Sequence, residues 1–179
     1  MIVIDIYGAP GSGKSTLAAF VFSQLKIRGV KCELVTEVAK DLVWDENAKA
    51  LANQAYVFGS QFYRLTRIEG SVDVAVVDSP LLLSNLYNIN GRLGSSFYKM
   101  VSEVSKSFDC LSYFLPVVEN RLYDDVGRIH NEETSKKLSD QILMLLSNYN
   151  VDYKILDHNE NSMMSVVDDV MNALGKNSN

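Results

Sequence analysis

Gly8-Ala9-Pro10-Gly11-Ser12-Gly13-Lys14-Ser15-Thr16 is the stretch from which the rest of this chain can be read. It fits the pattern G-x-x-x-x-G-K-[ST] and follows an apolar run, Met1 to Tyr7, that reads as a buried strand. Glycines at these spacings let a tight loop turn its backbone N–H groups inward and make a concave anion cradle. The helix expected next adds its positive N-terminal end. Lys14 is then placed to reach the β- and γ-phosphates of a nucleotide, and the Ser15 hydroxyl to ligate Mg²⁺. All nine residues, Gly8 to Thr16, are expected to form the nucleotide site, with ATP and Mg²⁺ as its occupants.

Outward from the loop, helical and strand patterns alternate, which predicts an α/β domain with a parallel sheet covered on both faces. Leu17, Val21 and Leu25 make an apolar stripe that ends at Arg28-Gly29, a basic last turn and glycine cap. Cys32 to Thr36 reads as a second strand, followed by a helical turn over Val38 to Trp44. From Asn47 the apolar residues Ala48, Leu51, Ala55, Phe58, Phe62 and Leu65 recur at three- and four-residue steps. One long amphipathic helix is expected there, stopping near Gly70. Val72 to Val77 is a third strand, mostly β-branched and ending in Asp78-Ser79-Pro80. Gly91 to Ser96 reads as a flexible loop before a helix over Phe97 to Ser107, and a fourth strand follows at Cys110 to Leu115. A helix from the Asn131 cap, a fifth strand over Val151 to Leu156 and a terminal helix complete the pattern. One domain over residues 1–175 is expected, with 176–179 as a frayed tail.

The whole chain bounds the reading. Its 179 residues, 47% hydrophobic, suffice for one sizeable core and leave no room for a second full domain. No apolar stretch approaches the ~20 residues needed to cross a bilayer, and the apolar start runs straight into the loop, unlike a signal peptide. A cytoplasmic protein is expected. Cys32 and Cys110 lack C-x-x-C spacing and are expected to be reduced core residues. A net charge of −5 argues against a surface that coats nucleic acid.

Strand ends supply the candidates for chemistry, because ligands in open α/β sheets bind beyond the carboxyl edge. Asp78 ends the third strand and is the expected Mg²⁺ carboxylate. Glu37 ends the second and is the candidate general base or acceptor ligand, with the dipole-favoured start of the next helix as its bland alternative. Lys40, one turn on, could bind an acceptor phosphate or simply be solvated. On the long helix Gln54, Gln61 and Arg64 fall within about an 80° arc, suited to reading a base edge and holding an anion, or to a wet polar face. Arg121 and Arg128 sit in the charged, glycine-containing segment 118–130, a composition suited to a lid that closes over a triphosphate.

With these residues in view the chain resembles the small P-loop kinases of the nucleotide and nucleoside kinase group, related to nicotinamide riboside kinase domains and common in bacteriophages. The resemblance is carried by the loop, Thr36 to Leu42, Gln54 to Arg64, Asp78 to Leu81, and Arg121 to Arg128. It implies a three-layer fold with a five-stranded parallel sheet in order 2-3-1-4-5, a lid, and ATP-dependent phosphoryl transfer to a nucleoside or nucleotide. It also implies that the glutamate ending strand two serves as base and that a helical glutamine, Gln54 or Gln61, reads the nucleobase. Where those enzymes usually carry Glu-Arg-Ser or Asp-Arg after strand three, this chain has Asp78-Ser79-Pro80. Two other readings stand beside the first: a kinase of 5-hydroxymethyluracil within phage DNA, acting in the host cytoplasm, and an NTP-hydrolysing switch.

Overall fold

The structure is a computed structural model that describes residues 1–88, 92–117 and 132–175. The expected lid with Arg121 and Arg128, the Asn131 cap and the tail 176–179 lie outside the described residues. Five parallel strands form one sheet: β1 (Ile2–Tyr7), β2 (Cys32–Val35), β3 (Val74–Val77), β4 (Asp109–Phe114) and β5 (Tyr153–Ile155), in the order β2-β3-β1-β4-β5. This is the order expected. β1 lies in the centre, Ile4 beside Val76 on one flank and Leu111 on the other.

Every residue of β1 is buried, as a strand covered on both faces requires. Its side chains alternate between two cores. Ile2, Ile4 and Ile6 pack with Leu17, Val21 and Leu25 of α1 (Lys14–Ile27) and with Val166, Val167 and Val170 of α8 (Glu160–Ala173). Val3 and Tyr7 face the other core with Phe58, Phe97, Val101, Ile142 and Leu146, contributed by α4 (Gln54–Thr66), α6 (Gly94–Ser105) and α7 (Glu132–Asn148). Each such side chain stabilises the fold by about 1.5–3 kcal/mol through removal from water. The result is helix, sheet, helix in three layers.

Two expectations are corrected. The single long helix from Asn47 is two helices, α3 (Ala48–Leu51) and α4, because Asn47 and Asn53 each act as an N-cap. Their side chains accept from Ala50 N and Tyr56 N, and Asn53 itself is extended at φ −99° and ψ 91°. Apolar periodicity ran across the break; capping chemistry made it. The loop expected over Gly91 to Ser96 is shorter, since α6 already starts at Gly94. Between β2 and α3 lies α2 (Val38–Trp44), and after β3 a single 3₁₀ turn, Leu81–Leu83, leads into the short α5 (Ser84–Tyr87).

Candidate active site

The loop between β1 and α1 is shaped by close approaches that only glycine permits. A Cβ on Gly8 would lie 2.5 Å from Ser12 Oγ and 2.6 Å from the Leu115 carbonyl oxygen. Gly13, at φ 94° in the left-handed region, turns the chain into the first residue of α1. Ser12 N donates to the Ala9 carbonyl at 3.1 Å and closes the loop. Lys14 folds back across it, its Nζ donating to the same carbonyl at 3.0 Å. Ser12 Oγ is buried without a hydrogen-bond partner.

Asp78, just past β3, is buried beside this loop. Its carboxyl accepts from the Ser15 hydroxyl and the Glu37 backbone N–H, with the ammonium groups of Lys14 and Lys40 nearby. Burial nevertheless wins and holds its pKa above the usual carboxylate value. Asp78 Oδ1 has no hydrogen-bond partner. A hydroxyl and a carboxylate with an orphaned buried oxygen are a hard-oxygen donor set that fits Mg²⁺.

Glu37 occupies the N-cap position of α2, yet its side chain makes no capping hydrogen bond. Its backbone is held from three directions. Its own N–H goes to Asp78. The carbonyl before it, on Thr36, accepts from Gln61 Nε2 at 3.2 Å and Arg64 Nη1 at 3.1 Å. The N–H after it, on Val38, donates to Gln61 Oε1 at 3.0 Å. Gln61, expected to read a base, is 4% exposed and straddles Glu37 with both ends of its amide on main chain. Arg64, expected to hold an anion, also donates to Thr36 Oγ1 and pairs with Asp41. Both side chains therefore fasten the β2–α2 junction, at an energy scale of about 1 kcal/mol per hydrogen bond and more for the charged one. The phenol of Tyr87 lies within the field of Glu37; burial first, then that negative charge, pushes its pKa up.

These groups surround one cavity of about 450 Å³. Gly8, Gly11, Gly13, Lys14 and Ser15 line it together with Glu37 and Lys40 and with the apolar side chains of Val43, Leu51, Val57, Leu83 and the ring-bearing Tyr87. Gln54 and Gln61 also line it, and Gln54 Oε1 is buried there without a partner. Of the expected site residues, the structure thus brings Lys14, Ser15, Glu37, Lys40, Gln54 and Gln61 to one space, with Asp78 against its floor. Arg64 stands behind the wall. Tyr87 and Val43 carry no site reading in the sequence, and Leu51 is read there only as part of an apolar stripe. Small side chains at Ala39, Ala48 and Ala52, which leave room for the cavity, were the available signal.

No protein-family model matches the chain. It is similar to Protein RecA of Campylobacter jejuni, 31% identical over 100 residues that cover 51% of this chain and 29% of that one. Protein RecA of a Wolbachia strain is 26% identical over 154 residues, 74% of this chain and 42% of that protein. The chain thus spans less than a third of the length of the first of these relatives. Among solved structures, a mutant of the APS kinase CysC of Mycobacterium tuberculosis overlays with a TM-score of 0.43 at 18% identity, covering 81% of this chain and 96% of that one. The loop, the sheet order and the RecA likeness place the chain in the P-loop nucleotide-binding class. Among the described residues no helix is long and apolar enough to cross a membrane.

Proposed function

We propose that this protein is a phosphotransferase that moves the γ-phosphoryl group of ATP to a small nucleoside or nucleotide. The observation that carries the reading is that one large cavity joins the phosphate loop and Glu37 to the apolar side chains of Val43, Leu51, Val57 and Leu83, which suits a second, largely uncharged moiety beside the phosphates. Gly8 to Thr16 would cradle the phosphates, Lys14 turning from the Ala9 carbonyl to the β- and γ-oxygens. Ser15 and Asp78 would hold Mg²⁺, which supplies charge neutralisation at the phosphates.

In the transfer step a lone pair on the acceptor oxygen forms the new bond to the γ-phosphorus while the bond to the β,γ-bridging oxygen breaks and ADP leaves. The acceptor proton passes to the Glu37 carboxylate, whose backbone is fixed by Asp78 and Gln61 so that this carboxylate does not drift. Support for a small acceptor over a DNA polymer comes from charge. The chain carries −5 overall, and Arg64, one of the few cations available for a phosphate backbone, is paired with Asp41.

The test is transfer of radiolabelled γ-phosphate to a set of nucleosides, nucleotides, nicotinamide riboside and hydroxymethylated duplex DNA. Transfer to a free nucleoside or nucleotide is expected, and Glu37→Gln should slow single-turnover transfer about 10²-fold with ATP affinity unchanged. Label released to water alone would replace this reading with an NTP-driven switch, and label found only in DNA would replace it with a DNA base kinase.

A further inference from the structure

A second cavity, of about 260 Å³, lies on the Val3–Tyr7 face of the sheet, between β1, β4, the end of α6 and the turn from α7 to β5. At its floor is Asp5, a carboxyl in the middle of the central strand and only 7% exposed. Its partners are the Tyr7 hydroxyl, at 3.5 Å, and the Cys110 thiol. The first is at the outer limit of a hydrogen bond and the second is a weak donor. Neither brings positive charge.

Titratable groups face Asp5 from several neighbouring elements. On its own strand there is Tyr7; on β4 Cys110, with Asp109 beyond it; after α6 Lys106; after α7 Tyr149 and Asp152. Residues 74–77 of β3 offer no titratable group. Among the described residues Lys106 is the one cation on the lining, against two carboxyls, and Tyr7, Phe108 and Tyr149 are the aromatic residues there. A buried carboxyl among aromatic rings is the chemistry that takes an organic cation, which gains both an ion pair and cation–π attraction. An anion would find Asp5 and Asp152 against it.

We propose that this cavity is a second ligand site, taking a compact organic cation such as an alkylammonium or guanidinium group on the Asp5 carboxylate, and that its occupancy is felt at the wall of the large cavity. Contact between the two cavities runs along the chain and across it. Leu82 lines the small cavity and Leu83 the large one; Tyr7 lines the small and Gly8 the large. The Tyr149 hydroxyl accepts from Asn85 Nδ2 at 2.9 Å, and Asn85 sits in α5 between Ser84 and Tyr87, both on the large cavity's wall. A group seated against Tyr149 therefore bears on α5 from behind. Burial pushes the Asp5 pKa up to about 7, with the thiol and phenol only partly offsetting it, so a cation must draw off this proton to bind.

Backbone amide NMR shifts of the whole chain test the site, with tetramethylammonium, methylguanidinium and putrescine as probes and inorganic phosphate as the anionic control. At least one cation should give saturable shifts at Asp5, Cys110 and Tyr149 to Asp152 that extend into Ser84 to Tyr87. Affinity should rise up to about tenfold per pH unit on the acid side of that pKa and level off above it. Asp5→Asn should abolish the saturable shifts, and Tyr149→Phe should keep those at the cavity while losing those in α5. No saturable shift from any cation, equal binding by Asp5→Asn, or binding of phosphate instead would overturn the site. Should Asp5→Asn fail to fold, the wild-type affinity decides: a value that does not change across about pH 7 sinks the proposal. Persistent α5 shifts in Tyr149→Phe would overturn the route.

Discussion

Two buried aspartates on neighbouring strands, Asp78 after β3 and Asp5 in β1, meet the same low dielectric with different company. Both have raised pKa values for the same first reason, desolvation. Asp78 has two ammonium groups, a hydroxyl and a main-chain N–H around it, which pull its pKa back down and leave Oδ1 without a partner. Asp5 has a thiol and a phenol. Burial thus raises the pKa of both carboxyls, and only Asp78 has cations among the groups that offset it. The large cavity is electrostatically prepared for anion and metal together. The small one holds a carboxyl whose direct partners, a phenol and a thiol, bring no positive charge.

The sharpest way to break this contrast is to remove the cation nearest the phosphate site. Lys14→Ala should lower phosphoryl transfer by about 10²- to 10³-fold or more, the scale set by loss of one preorganised charged donor, with the melting temperature unchanged because the lysine contributes no core packing. It should also push the Asp78 pKa further up, since Lys14 is one of the groups holding it down. A folded variant with near-normal turnover would undo the phosphate-loop assignment.

Asp78→Asn comes next. The amide keeps the acceptor for Ser15 and the Glu37 N–H but loses the charge, so the rate should fall by about 10²-fold and the Mg²⁺ concentration for half-maximal rate should rise. Stability should hold or increase, because the charged form is the one that burial penalises. Unfolding with unchanged activity per folded molecule would make Asp78 a structural residue and erase its difference from Asp5.

Gln61→Ala probes the clamp behind Asp78 and Glu37. It strands the buried Val38 N–H and leaves the Thr36 carbonyl to Arg64 alone, at a cost of about 1–3 kcal/mol in urea unfolding. Loosening Glu37 should also slow the chemical step by about tenfold through misplacement. Gln61→Glu keeps the acceptor for Val38 N but sets a buried carboxyl oxygen against the Thr36 carbonyl, so it should be no more stable than alanine and no faster. A stability loss with no change in single-turnover rate would reduce the clamp to simple packing.

How far these roles could be read from the chain follows from the distance over which each is set. The glycines of the loop, Lys14 and Ser15 act within a nine-residue window, and Glu37 and Asp78 announce themselves by ending apolar strands. Sheet order came with the family resemblance. Gln61 is different: its partners are 23 and 25 residues away, so helical periodicity shows the face it shares with Arg64 and nothing of the junction both fasten. Asn53 caps α4 inside a run of unbroken apolar spacing, and that spacing by itself shows one helix. Asp5 was visible as the one charge in an otherwise apolar strand, yet its surroundings come from β4, α6 and the α7–β5 turn, which only the assembled fold brings together.

The two aspartates can also be separated by stability alone. Asp5 has a model-peptide value of 3.8 when unfolded and about 7 when buried. Between these values the unfolded chain releases a proton that the folded chain keeps, so stability is highest on the acid side and falls as pH rises from about 4 to about 7. The slope from this group is at most about 1.4 kcal/mol per pH unit. Above pH 7 it flattens, the folded Asp5 then being ionised as well. Other titrating groups superpose their own slopes, and subtraction removes them: the difference in unfolding free energy between Asp5→Asn and wild type should grow across that window and become constant beyond it, while transfer without added cation stays unchanged. Urea titrations at a series of pH values measure this. A difference that is flat from acid to neutral pH would mean that Asp5 is already ionised and compensated in the fold, and its contrast with Asp78 would disappear.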